Sequence, residues 1–249
     1  MKSAPRSRPQ HDIDMVSFIV PAHNEQALIG GTIDAITRAM HGRDESHEII
    51  VAADGCTDET GAISAAKGAT VVAHDRRQIA ATRNLGARGA RGDLLIFVDA
   101  DTRIPSDSVA QAIAAVRAGA VAGGASFRLD APVPLWTRVL MPVMSAFMRI
   151  SRQTGGAFLF CTRAAFDAAG GWDESYFAAE EIHFVKALKK VGRFVLIGAV
   201  VVTSGRKART HSFGEMFGLL VRGVLSPKIT KDRSKLGFFY GPRRPDPRG

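Results

Sequence analysis

The first hundred residues repeat one rhythm of apolar and polar positions. Val16–Val20 is a short, β-branched apolar run and predicts a strand. After Asn24 the apolar positions Leu28, Ile29, Ile33, Ile36 and Met40 recur close to every 3.6 residues, the spacing of one helix face. Glu48–Ala53 predicts a second strand, followed by the polar DGCTDET and a helix ending near Lys67. Thr70–Ala73 predicts a third strand, Gln78–Ala90 a helix, and Leu94–Val98 a fourth strand. Strands separated by helices imply parallel pairing through right-handed crossovers, hence an α/β fold. In such sheets ligands bind beyond the carboxyl ends of the strands. The polar clusters PAHNE, ADGCTD and DADT each follow a predicted strand, so all three should gather on one edge.

The second half is less regular. Ala120–Leu129 reads as a strand, and Leu135–Ile150 as an amphipathic helix interrupted by Arg138 and Arg149. TGGAFLFCTRAAF reads as a Gly turn, a short strand and a helix, and GGWDESYFAAEE as an aromatic loop. Glu181–Val191 reads as a helix, Phe194–Val202 as a strand, TSGRKARTH as a cationic loop and Phe213–Leu225 as a second amphipathic helix. No internal repeat is visible.

Composition narrows the setting. The 249 residues suffice for one large domain or two small ones. No apolar run approaches the roughly 20 residues of a membrane span. The opening MKSAPRSRPQHD lacks the apolar centre of a signal peptide. Cys56 and Cys161 are far apart with no metal-like spacing, which points to a reduced, cytoplasmic chain without disulfides. The net charge of +9 is uneven: from Thr203 onward eleven Lys or Arg face three acids. That surplus suits anionic lipid headgroups, nucleic acid or a phosphorylated ligand, and equally plain solvation. Its Pro-rich end, GPRRPDPRG, reads as disordered.

Several polar residues could carry chemistry. Asp99 and Asp101 point the same way from an extended segment and suit Mg²⁺ or Mn²⁺ shared with substrate phosphates; the plainer reading is that Asp101 caps a turn. Asp54 can accept from a nucleobase imide or simply close an Asx turn. Glu25 can accept from a ribose hydroxyl or complement a helix dipole. Arg83 can reach a phosphate bidentately or sit in solvent. Glu180 and Glu181 stand at a helix start, where either can serve as a general base or as a dipole partner. Ser204, Arg206, Lys207, Arg209 and His211 could cover a diphosphate, with His211 completing a metal shell.

Together these segments resemble the family 2 glycosyltransferases of the GT-A fold, a Rossmann-like, mostly parallel sheet with helices on both faces. FIVPAHNE resembles that family's opening strand and turn. VAADGCTDET resembles its DGSTD segment with Cys56 in place of Ser, and RQIAATRNLGARGARGDLLIFVDADT its ARN to DAD stretch with Thr82 in place of Ala. TGGAFLFCTRAAFDAAGGWDE and EEIHFVKALKKVG resemble its acceptor-side segments. The resemblance spans about residues 16 to 205. It implies a GT-A domain over 15–226, with a nucleotide-binding half over 15–103 and an acceptor-side half over 104–226; the composition leaves a flexible N-terminus over 1–14 and a basic tail over 227–249. The resemblance further implies a nucleotide-sugar donor and inverting transfer with a divalent metal, Mg²⁺ or Mn²⁺. Pro21, Ala22, Glu25, Asp54, Arg83, Asp99, Ala100, Gly156, Arg206 and Arg209 would serve donor binding. Asp101 and His211 would hold metal, and Glu181 or its neighbour Glu180 would be the base. The sequence departs from the pattern where Glu181 replaces Asp and His183 replaces the next acid. The acceptor is unidentified; a lipid-linked one on an anionic membrane surface fits the basic tail and the amphipathic stretches Leu135–Ile150 and Phe213–Leu225, and nucleic acid ranks below it, there being little aromatic interleaving in the tail beyond Phe238, Phe239 and Tyr240. A nucleotidyltransferase and a non-catalytic nucleotide-sugar module are the rival readings. The former is disfavoured by the lack of a Gly-rich phosphate loop in VPAHNEQALIGG, the latter by the acceptor-side acids.

Overall fold

The computed structural model describes residues 12–216, 218, 227–241, 244 and 246. Eight strands form one sheet: β1 (Met15–Ala22), β2 (Ser46–Asp54), β3 (Thr70–His74), β4 (Leu94–Val98), β5 (Thr102–Arg103), β6 (Ala122–Leu129), β7 (Phe158–Thr162) and β8 (Phe194–Thr203). Their order is β3-β2-β1-β4-β7-β6-β8-β5. β1 lies parallel between β2 and β4, β2 pairs parallel with β3, and β6 pairs parallel with β8. β7 runs antiparallel between β4 and β6, and β5 antiparallel to β8. The sheet is therefore mixed, with the expected parallel block on the β1 side.

Strand alternation divides the core in two. Leu94, Ile96 and Val98 of β4 face α1 (Ile29–Met40) and α4 (Ser108–Arg117), which contribute Ile29, Ile33, Ile36, Val109, Ile113 and Val116. Leu95 and Phe97 face the opposite layer, built from α3 (Ile79–Gly89), α6 (Arg163–Ala169) and α7 (Glu180–Val191). There Phe97, Phe166, Trp172 and Phe184 form an aromatic cluster, with Trp172 and Phe184 stacked at 4.2 Å. Gly86 lets α3 lie close on β1, because a Cβ there would come within 2.6 Å of Ile19 Cγ2. Further helices among the described residues are α2 (Thr60–Ala66), α5 (Leu135–Ser151), α8 (Arg206–Thr210) and α9 (Gly237–Tyr240).

Three expectations change. TSGRKARTH is not a loop throughout: Arg206–Thr210 is helical. The two-residue β5 had no signal of its own and exists because it pairs with the end of β8. The basic segment after residue 226 does not hang free over 227–241. It forms two 3₁₀ turns and α9, and it docks on the domain where Phe177 N–H donates to Thr230 O at 2.7 Å and Tyr240 Oη to Phe177 O at 2.8 Å. Of the expected helix Phe213–Leu225, residues 213–216 and 218 are helical and the rest lie outside the described residues. So do residues 1–11 of the N-terminus and most of GPRRPDPRG, from which Gly241, Arg244 and Asp246 are described.

Candidate active site

The three polar clusters meet, as their places at strand ends require. Thr57 N–H donates to Asn24 Oδ1 at 2.8 Å, and Glu25 N–H to Thr60 Oγ1 at 2.7 Å. His23 Nδ1 donates to Asp54 O at 2.6 Å. Thr32 Oγ1 donates to Ala100 O at 2.8 Å and so ties α1 to the DADT turn. These turns form the floor of a cleft of about 1280 Å³. Pro21, Ala22, Glu25, Asp54, Arg83, Asp99, Ala100, Asp101, Gly156, Glu180, Glu181, Arg206 and His211 all line it.

Arg209 does not line it. Its Nη1 donates to Asp130 Oδ1 at 2.9 Å and its Nη2 to Asp246 Oδ2 at 2.6 Å, so the guanidinium is spent on joining α8 to the segment before α5 and to the chain end. The diphosphate role read from its sequence position is thus replaced by a structural one.

Arg83 is 2 % exposed and does something other than the sequence suggested. Nη1 donates to Glu180 Oε1 at 2.6 Å and Nη2 to Asp99 Oδ1 at 2.9 Å, while the guanidinium lies 4.4 Å from the Trp172 ring centroid. Burial alone would lower its pKa, but the charges of Asp99 and Glu180 reverse that and raise it, so it stays a cation. Arg83 therefore binds one acid from each half of the molecule rather than facing open solvent. Gly156 packs against it; a Cβ at that position would overlap Arg83 Nη2. Asn84, the next residue of α3, exchanges hydrogen bonds of 2.9 Å with the backbone of Trp172, fixing the aromatic loop under the arginine.

Asp54 holds a turn. Oδ1 accepts from Arg76 N–H and Arg77 N–H at 3.0 and 2.7 Å, and Oδ2 from Gln78 N–H and Thr82 Oγ1 at 2.8 and 2.7 Å. Burial works to raise its pKa, but the Thr82 hydroxyl and the backbone N–H groups outweigh it and hold the carboxyl below its ordinary value. All four lone-pair sites are in use, so a base imide would have to displace one of these donors. Thr82, where the family pattern has Ala, thus has a role that the sequence did not reveal.

Glu25 takes Arg206 in a bidentate pair, Nη2 to Oε1 at 2.9 Å and Nη1 to Oε2 at 3.2 Å. Asp101 lies among acids. Burial first, then Asp99 and Glu25, push its carboxyl up to about 7, against partial relief from Arg206 and from the Thr203 hydroxyl at 3.1 Å. An acid whose charge is this poorly compensated favours a cation, and a divalent ion sharing ligands with phosphates needs only one or two carboxylates from the protein. Among the described residues no three His, Cys, Asp or Glu side chains form a protein-only cage. Asp101 thus fits a cation that takes its other ligands from substrate. His211 also lines the cleft, its Nδ1 3.2 Å from Lys207 O and its ring 4.5 Å from that of Phe238.

The two glutamates at the head of α7 differ in kind. Glu180 is buried and bound to Arg83. Glu181 carries no such pair, and its carboxyl sits well above the ordinary range, first through burial and then through the Glu180 charge. Phe177 and the later residues Lys235, Phe238, Tyr240 and Arg244 complete the lining. Nothing in the sequence places Phe238 and Tyr240 on this cleft.

The sequence pattern of Glycosyl transferase family 2 matches residues 17–169. Among curated proteins, an undecaprenyl-phosphate 4-deoxy-4-formamido-L-arabinose transferase of Aeromonas hydrophila is 27 % identical over 115 residues, 43 % of this chain and 35 % of that protein. A glucosyl-3-phosphoglycerate synthase of Mycolicibacterium paratuberculosis is 34 % identical over 96 residues, 34 % of this chain and 28 % of that protein. The match spans about a third of the length of these relatives. Among solved structures, a mannosyltransferase of Pyrobaculum calidifontis in complex with GDP-Man and Mn²⁺ superposes with a TM-score of 0.62 at 22 % identity, covering 93 % of this chain and 71 % of that one. The glucosyl-3-phosphoglycerate synthase of Mycobacterium tuberculosis, in complex with Mn²⁺, UDP and glucosyl-3-phosphoglycerate, gives 0.55 at 19 %, covering 90 % and 80 %. The fold is GT-A, and with a family match over more than half of its length the chain belongs to glycosyl transferase family 2.

Proposed function

We propose that this chain moves a sugar from a nucleoside-diphosphate sugar to an acceptor hydroxyl, with inversion at the anomeric carbon. The observation that carries the reading is the meeting, in one cleft, of the nucleotide-side acids Asp99 and Asp101 with the acceptor-side acids Glu180 and Glu181, bridged by Arg83. Structural relatives carrying UDP or GDP-Man with Mn²⁺ support the donor class.

In this mechanism Glu181 takes the proton from the acceptor hydroxyl as its oxygen forms a bond to the anomeric carbon. The bond from that carbon to the diphosphate oxygen breaks, and the nucleoside diphosphate leaves from the opposite face. The raised pKa of Glu181 makes it a stronger base once deprotonated, a contribution of about 10²–10⁴ in rate. Glu180 and Arg83 fix the head of α7 so that the base is positioned. Arg206 exchanges its Glu25 pair for the diphosphate, a planar donor fork suited to either partner. A divalent cation, Mg²⁺ or Mn²⁺, would be held by Asp101, with His211 as a further candidate ligand, and would supply Lewis-acid neutralisation of the leaving diphosphate.

The test is calorimetric titration with UDP and GDP, with and without Mn²⁺ or Mg²⁺, followed by a donor screen for transfer. Metal-dependent binding in the micromolar range is expected, and no nucleotide binding under either metal overturns the proposal. Glu181→Gln should keep donor binding and lose about 10²–10⁴ in transfer rate; undiminished transfer would remove Glu181 as the base. Pyrophosphate release in place of sugar transfer would favour a nucleotidyltransferase.

A further inference from the structure

Glycosyl transfer leaves one surface of the molecule without a use. On α5 the side chains of Leu135, Val139, Val143, Phe147 and Ile150 are 75, 74, 64, 63 and 86 % exposed. Their spacings of four, four, four and three place them on one helical stripe, and the exposed Pro142 and Ala146 fall on it too. The other side of the helix is already satisfied: Met141, Met144 and Met148 share a narrow crevice with Ala125 and Phe127 of β6. The stripe leaves on the order of 600 Å² of apolar surface in the open, at the top of what a monomeric protein ordinarily carries.

Charge around the stripe identifies what covers it. Residues 131–166 contain four arginines and no Asp or Glu. Arg138, Arg149 and Arg152 are exposed and border the stripe along one edge. Lys189 adds a cation at the end of the helix, where its Nζ donates to Ser151 O at 2.9 Å. Among the described residues no helix is long and apolar enough to cross a membrane, so α5 meets a bilayer edge-on or not at all. We propose that α5 lies in the headgroup layer of an anionic bilayer, its apolar stripe inserted among the acyl chains and its arginines on lipid phosphates.

The place of α5 gives the docking a purpose. Trp136 packs on Phe213 at 5.7 Å, beside the cleft residues His211 and Gly214, and the chain leaving α5 reaches Gly156 against Arg83. A docked α5 therefore holds the acceptor half of the cleft at the lipid surface, where an acceptor anchored by a lipid tail would present its polar head. That last step rests on the glycosyl-transfer reading; the docking itself does not.

Co-sedimentation with vesicles of phosphatidylcholine, alone or mixed with phosphatidylglycerol, tests it on the full chain without nucleotide. The wild-type protein should pellet with the mixed vesicles and far less with phosphatidylcholine alone. Val143→Asp with Phe147→Asp, both on exposed positions, should melt like wild type, bind UDP and Mn²⁺ like wild type, and lose about tenfold or more in vesicle partitioning. Changing Arg138, Arg149 and Arg152 to Gln should erase the preference for the anionic vesicles. The proposal is overturned if wild type stays in the supernatant with both vesicles, or if the double Asp variant pellets unchanged. It is also overturned if light scattering shows a dimer that the double Asp variant dissociates, since the stripe would then be a self-association face. A protein that partitions but binds no nucleotide would end the transfer reading and leave the docking standing.

Discussion

Arg83→Ala should unfold the molecule more easily than any surface change, and the structure sets the size of the effect. The guanidinium neutralises two carboxylates at 2.6 and 2.9 Å. The Glu180 side chain is 8 % exposed, so its charge would remain buried with no partner; that of Asp99 is 33 % exposed, so water would relieve much of its loss. Removing one member of a buried pair costs about 3–5 kcal/mol, and the relief at Asp99 places this case near the lower figure. For a domain of this size that is a fall in melting temperature of roughly 6–12 °C. Urea unfolding followed by tryptophan fluorescence is the direct assay, because Trp172 lies 4.4 Å from the guanidinium and reports on the same contact. Arg83→Ala combined with Glu180→Gln should recover part of the loss, with a coupling of about 1–3 kcal/mol in the double-mutant cycle. A single-variant loss under about 1 kcal/mol, or strict additivity in the cycle, would refute the claim that Arg83 joins the two halves through its charge.

Two further outcomes follow from the same geometry. Asp54 has its folded pKa below the 3.8 of an unperturbed carboxyl, so its stabilisation is present above about pH 4 and lost as pH falls through the folded value; Asp54→Asn should cost about 1–3 kcal/mol at neutral pH, and its chemical-denaturation curves should converge on those of wild type toward acid. Gly156→Ala should abolish transfer and lower the melting temperature, because the methyl group takes the space of Arg83 Nη2; a variant with wild-type stability and turnover would show that the contact yields.

Much of this was legible because local pattern and tertiary need agreed. The limits of β4 follow from five apolar residues between Asp93 and Asp99, and the convergence of PAHNE, ADGCTD and DADT follows from parallel strands alone. What stayed hidden depends on partners far away in sequence. Arg83 looks the same whether it faces phosphate or carboxylate, and Glu180 stands 97 residues from it. The hydrogen bonds that Asp54 accepts show only when loop 76–78 is seen to wrap it. α8 is five residues long, too short for any period to register, and Arg209 on it is claimed by Asp130 and Asp246.

The Glu25–Arg206 pair joins positions 181 residues apart, whereas Arg83 and Asp99 are 16 apart. On the ribosome the two kinds of contact belong to different moments. The parallel block and its Arg83–Asp99 pair are complete in sequence once about residue 103 has emerged, while Glu25 waits for as many residues again before its partner exists. Closing so long a loop adds little to the free-energy cost and lengthens the search for the contact. Until then Asp101 lies beside Asp99 and Glu25 without Arg206, the cation that offsets their effect on its carboxyl.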